Sequence, residues 1–189
     1  PFQITSEAAI TVGKNAGNLY YTSGDTGDAE GPNRILVLDP RTGSTKRFIQ
    51  CGERHLGMCV RDLNRDERPE IAVGDADGVL RVYDPDLKTV MTRNIGTRAD
   101  LVGAEDLNGD GTVEILVVQP ENRLVVLDEN LQTLCSYAAA SGDNLGVDFV
   151  RDHGRKKILV HSGAKPPFSY ALMSFSGQTF FGRVVGTRV

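Results

Sequence analysis

Residues 106–114 read DLNGDGTVE, a string that places an oxygen-bearing residue at every second position. Its alternate positions, numbered 1, 3, 5, 7 and 9, are Asp106, Asn108, Asp110, Thr112 and Glu114. In a tight turn, alternate residues can direct side-chain oxygens, and the main-chain carbonyl of position 7, toward one centre. Calcium takes about six to eight such oxygen ligands, so the string predicts a Ca²⁺ site. A glycine at position 6 permits the positive φ that the reversal needs.

A second copy of the string lies earlier in the chain, where residues 62–70 read DLNRDERPE. Its five candidate ligands are Asp62, Asn64, Asp66, the carbonyl of Arg68, and Glu70. Position 6 is now Glu67, which must either accept strain at a positive φ or follow another path. Arg65 and Arg68 would partly neutralise an empty site. We therefore expect this loop to bind Ca²⁺ more weakly than the later one.

The simpler interpretation is that Asp, Asn and Gly are only turn formers. Charge argues against it, because the candidate ligand positions of the two loops hold six carboxylates while the formal net charge of the whole chain is −4. Packing three carboxylates into one turn without a cation costs repulsion that ordinary turns avoid.

Both strings belong to a repeat of about 44 residues. Asp62 and Asp106 lie 44 residues apart, and so do Asp84 and Asp128. Asp39 precedes Asp84 by 45 residues, which places RILVLDPRTGSTKRFI in an earlier copy, and RKKILVHSGAKPPFSYALMSFSGQTF is a decayed fourth copy. The first copy of the turn, VGKNAGN, has no acids and the fourth, VRDHGRKK, keeps only Asp152, so both should be metal-free.

Each unit predicts four short strands, because runs of 4–8 residues rich in Val, Ile and Leu are bounded by Gly, Pro, Asn and Asp. The middle strands are almost continuously apolar, which indicates burial on both faces. Such a sheet, repeated at this period, is typical of a β-propeller blade. We therefore expect an all-β fold and a single domain over residues 1–189, with blades at about 1–50, 51–94, 95–138 and 139–189.

The strings DLNRDERPEIAVG and DLNGDGTVEILVV resemble the FG-GAP/VCBS repeat family, which forms the blades of the integrin α head and of many bacterial surface proteins. The resemblance covers two repeats well, the first repeat in its second half and the fourth poorly. It implies that the ligand positions of both strings hold calcium. It also implies loops that are displayed to protein or carbohydrate partners.

No catalytic motif is present, so the sequence favours a non-catalytic, calcium-binding module for protein–protein interaction or scaffolding. The alternatives are a lectin-like propeller and the propeller portion of a polysaccharide lyase or hydrolase. The acidic balance argues against nucleic acid, and no apolar run is long enough for a membrane helix.

Weak calcium sites fill where calcium is near millimolar, which favours an extracellular, periplasmic or cell-surface location, whereas the three unpaired cysteines favour the cytoplasm. The outer repeats are as apolar as the middle ones, so their outward faces need cover. We therefore expect a larger propeller, completed by further sequence or by a second copy in a homodimer, with a self-closed four-bladed ring as the alternative.

Overall fold

The fold is described from a computed structural model of the 189-residue chain. The description covers residues 8–10, 19–23, 33–51, 55–96, 98–138, 145–153, 155–162, 168–177 and 180–188. These residues form sixteen β-strands in four four-stranded sheets and contain no helix. The all-β prediction is thus confirmed. None of these residues belongs to a helix that could span a membrane.

The four sheets follow one another along the chain, one in each predicted repeat. Sheet 1 contains β1 (Ala8–Ile10), β2 (Leu19–Ser23), β3 (Arg34–Leu38) and β4 (Thr45–Gln50). Sheet 2 contains β5 (His55–Arg61), β6 (Glu70–Asp75), β7 (Val79–Tyr83) and β8 (Thr89–Asn94). Sheet 3 contains β9 (Asp100–Glu105), β10 (Glu114–Gln119), β11 (Arg123–Leu127) and β12 (Thr133–Ala138). Sheet 4 contains β13 (Leu145–Asp152), β14 (Arg155–Ser162), β15 (Phe168–Phe175) and β16 (Phe180–Arg188).

Neighbouring strands in each sheet are neighbours in the chain, and every pair with a described register is antiparallel. The repeat extends to fine detail. In sheets 1, 2 and 3 the pairing of the third and fourth strands is interrupted at equivalent points, after Val37, Val82 and Val126. The outermost strands β4, β8 and β12 also share one pattern of exposure.

The turn that precedes each of these outer strands is organised by an aspartate. In sheet 2, the carboxylate of Asp84 accepts hydrogen bonds from the main-chain nitrogens of Asp86 and Lys88, each at 2.9 Å. Asp128 plays the same part in sheet 3, and Asp39 accepts from Arg41 at 2.8 Å in sheet 1. The aspartates that mark the repeat in the sequence are therefore turn residues of the Asx type.

The chain forms two compact units, residues 1–103 and residues 104–189. In the first unit, one face of sheet 1 packs on one face of sheet 2. The shared core is formed by buried side chains of both sheets: Ile35, Val37, Met58, Ile71, Val73, Tyr83 and Leu87. In the second unit, the buried side chains include Ile158 and Val160 of β14.

The central strands of sheets 2 and 3 are buried on both faces, as their continuous apolar runs predict. All six residues of β6 are buried, and so are the first four of β10. Ile71, Ile115 and Leu124 have no exposed surface. In β3, by contrast, buried and half-buried residues alternate, because only one face of sheet 1 packs on sheet 2.

Candidate metal centre

The two acidic loops occupy equivalent places in sheets 2 and 3. The earlier loop joins β5 to β6 and the later loop joins β9 to β10. In both loops the glutamate of position 9 is the first residue of the buried strand that follows, which fixes it to the sheet. The ligand strings of the sequence are therefore two loops of one kind, each placed by the first two strands of its sheet.

The later loop is closed by hydrogen bonds from its own main chain. The two carboxylate oxygens of Asp106 accept from the nitrogens of Gly109 at 2.7 Å and Gly111 at 3.1 Å. Oδ1 of Asn108 accepts from the nitrogen of Asp110 at 2.8 Å. Asp110 in turn accepts from the nitrogen and the hydroxyl of Thr112. Positions 1, 3 and 5 thus turn their oxygens inward, toward the concave side of the loop backbone.

The earlier loop repeats most of this network, but its position 1 accepts from the nitrogen of position 5 and not from that of position 4. Asp62 accepts from the nitrogens of positions 5 and 6, at 3.1 and 2.9 Å. Oδ1 of Asn64 accepts from Asp66 at 2.9 Å, and Oδ1 of Asp66 accepts from the nitrogen of Arg68 at 2.7 Å. The two loops therefore share the contacts of positions 3 and 5 and differ in one contact of position 1.

The asparagine of position 3 joins the two ends of each loop. Nδ2 of Asn108 donates to Oδ2 of Asp110 at 2.9 Å and to Oε1 of Glu114 at 3.0 Å. Nδ2 of Asn64 donates to Asp66 at 3.3 Å and to Glu70 at 3.0 Å. A single amide group therefore lies between the carboxylates of positions 5 and 9, where it supplies partial positive charge.

The glutamate of position 9 is the buried member of each loop. The exposed fraction is 2% for Glu114 and 4% for Glu70. Burial raises the pKa of Glu114, and the negative charges of Asp110 and Asp106 raise it further, although the hydrogen bond from Leu107 opposes them. The pKa of Glu70 is raised for the same reasons. Each loop thus keeps a carboxylate where its negative charge is costly, a cost that a bound cation would offset.

Both loops use a positive φ at positions 4 and 6. In the later loop glycines fill them, with φ of 83° at Gly109 and 89° at Gly111. In the earlier loop Arg65 and Glu67 adopt 64° and 66°. Glu67 thus adopts the positive φ, the first of the two alternatives that the sequence left open, whereas the positive φ at Arg65 was not predicted. The glycine at position 4 of the later string could have indicated that this position needs a positive φ.

The arginine at position 7 of the earlier loop is drawn to the β7–β8 turn. Nη2 of Arg68 lies 3.5 Å from Oδ2 of Asp86, and Nη1 of Arg47 lies 2.6 Å from Oδ1 of the same carboxylate. Arg68 therefore forms an ion pair with Asp86. The spacing of the string did not predict this ion pair.

The remaining copies of the turn differ from these two. The first copy, residues 12–18, lies outside the described residues. The fourth is a tight hairpin in which Asp152 pairs with Arg155, so β14 begins where the acidic loop would lie. Over the described parts of the chain, no three His, Cys, Asp or Glu side chains already surround a common point as metal ligands do. The Ca²⁺ sites therefore stay predictions.

No protein-family model matches the chain, and no curated protein matches it.

Proposed function

We propose that the chain is a non-catalytic, calcium-binding β-propeller module of the FG-GAP/VCBS type, which serves protein–protein interaction or scaffolding. The observation that carries the proposal is the pair of acidic loops, 44 residues apart, with one hydrogen-bond network and one buried glutamate each. The glutamate closes each loop through a hydrogen bond from position 2, and its negative charge lies where a bound cation would offset the cost of burial.

The donor set of both loops fits calcium, since every candidate ligand is an oxygen. Asp106, Asn108, Asp110, Glu114 and the Thr112 carbonyl would hold the ion in the later loop. Asp62, Asn64, Asp66, Glu70 and the Arg68 carbonyl would hold it in the earlier loop. When bound, the ion supplies positive charge among three carboxylates, so its role is to fix the turn.

In the proposed β-propeller, each of the four sheets is one blade. The face of sheet 1 opposite the core carries apolar side chains that a further element could cover. Leu36 and Phe48 pair there across β3 and β4, and Phe48 is 53% exposed. We propose that a second copy of the chain or further sequence covers this face. Light scattering tests the homodimer: a mass of one chain at all concentrations contradicts it.

The partner in this proposal is a protein, and the location is extracellular, periplasmic or on the cell surface, where millimolar calcium fills weak sites. With about 1 mM calcium and dissociation constants of about 0.1–1 mM, binding stabilises the fold by roughly 0.4–1.4 kcal/mol per site. Scanning calorimetry with calcium and with a chelator tests this. Equal melting temperatures in the two conditions would contradict the proposed function.

A further inference from the structure

An open cleft of about 910 Å³ lies in the second unit, beside the later acidic loop. Residues 106–109 of that loop line one side. The β13–β14 hairpin lines the other side, and Ser174 and Phe175 of β15 complete the lining. The volume is within the range of about 300–1,000 Å³ that is typical of ligand sites.

The hairpin side of the cleft is strongly basic. Its lining residues are Arg151, His153, Arg155, Lys156 and Lys157. Arg151 and Lys156 stand directly opposite each other across β13 and β14, a cross-strand pair of like charges that destabilises a hairpin. Lys156 is paired with Glu105, but Arg151 and Arg155 are exposed to solvent. Arg151 and Arg155 thus place two exposed positive charges along the cleft, to which an anionic ligand would be complementary.

The opposite side carries the candidate calcium ligands. Asp106 and Asn108 line the cleft, so the charge of this side depends on whether the later loop holds a cation. Without one, the loop carries three carboxylates and repels an anionic ligand. Binding of Ca²⁺ by these residues would cancel two of the three negative charges and leave the basic hairpin as the dominant charge.

We propose that this cleft binds an extended acidic segment of a partner protein and that calcium in the later loop strengthens the binding. The inference rests on the calcium site of the proposed function and adds the partner's chemistry. The guanidinium groups of Arg151 and Arg155 bind the partner's Asp or Glu carboxylates, for which their planar fork is suited.

The lining favours an acidic peptide over an acidic sugar. Carbohydrate rings usually need an exposed aromatic face to stack on, and the aromatic residue in the lining, Phe175, is only 4% exposed. The guanidinium groups of the hairpin side match the carboxylates of an acidic peptide.

The test is isothermal titration of the full chain with hexaglutamate, in calcium and in chelator, with hexaglutamine as the uncharged control peptide. We expect saturable binding of hexaglutamate in calcium and binding weaker by about tenfold or more in chelator. By linkage, the peptide should raise the affinity for calcium by the same factor. Hexaglutamine should not bind.

The double variant R151E/R155E should weaken hexaglutamate binding by about tenfold or more while leaving the heat of calcium binding intact. The matched control R41E/K88E makes the same change of charge at exposed turns of the first unit and should bind like the wild type. Calcium binding without any hexaglutamate binding would overturn the cleft proposal alone. Peptide binding that ignores chelator, or a response to trigalacturonate and not to hexaglutamate, would overturn it too. Absence of calcium heat would instead overturn the proposed function.

Discussion

Oε2 of Glu114 accepts a hydrogen bond from the main-chain nitrogen of Leu107 at 2.8 Å, and both residues are buried. The bond joins the last position of the acidic loop to its second position, so the loop is closed on itself. Glu70 makes the same 2.8 Å bond to Leu63 in the earlier loop. The glutamate thus ties the two ends of each loop together.

The two loops should differ in how much calcium stabilises them. Asp110→Ala should remove more of the calcium-dependent rise in melting temperature than Asp66→Ala, because the later loop reaches the same shape without strained residues at positions 4 and 6. Scanning calorimetry in calcium and in chelator measures both effects. Asp148→Ala, which removes a carboxylate that is 67% exposed and outside the loops, is the control and should leave the rise unchanged. A larger effect of Asp66→Ala would contradict the ranking.

Position 6 offers a matched pair of backbone substitutions. Glu67→Gly should stabilise the fold by roughly 0.5–1 kcal/mol, because glycine adopts a φ of 66° without strain. Gly111→Ala should destabilise it by about 1–2 kcal/mol, because Ala at a φ of 89° places Cβ against the backbone. Urea denaturation in chelator measures both without the metal contribution. Changes of the same sign for the two variants would argue against a shared backbone path.

The buried middle strand of sheet 3 should be sensitive to truncation. Ile115 has no exposed surface, so Ile115→Ala should lower the free energy of unfolding by about 2–5 kcal/mol through the cavity it leaves. Val90→Ala is the control, because Val90 on the outer strand β8 is 51% exposed and its truncation should cost less than about 0.5 kcal/mol. A cost below about 1 kcal/mol for Ile115→Ala would place β10 at an exposed edge.

The thiol of Cys135, on β12, should react slowly with alkylating reagents. Burial raises its pKa to about 11, from an ordinary value of 9.0. The thiolate is the reactive form, so at pH 8 its fraction, and the rate of alkylation, should be about a hundredfold below that of an unperturbed thiol.

The rate should rise as the pH increases toward 11. Iodoacetamide labelling of a variant in which Cys51 and Cys59 are replaced by serine measures the rate of Cys135, and the same variant in denaturant is the control. Equal rates in the folded and denatured states would contradict the raised pKa.

The sequence predicted the four sheets because the period of about 44 residues and the apolar runs are local features. Ile71 and Ile115 lie at the same point of the repeat, and both are buried as expected. The candidate ligands of the two loops could be aligned for the same reason. The string sets their order, and the strand that follows sets the position of the glutamate.

Other features depend on contacts that sequence spacing does not contain. The donation from the Asn108 amide to two carboxylates depends on how the loop folds back on itself. The pairing of Arg68 with Asp86 joins residues 18 positions apart. The place of the basic β13–β14 hairpin beside the later loop follows only from the folded second unit.

Titration of the full chain with calcium measures directly whether the two acidic loops bind the ion. We expect saturable binding of calcium at two sites, with Asp110→Ala removing the tighter site, Asp66→Ala the weaker one, and the double variant both. Absence of saturable binding by the wild-type chain, or the same binding by the double variant, would contradict this expectation.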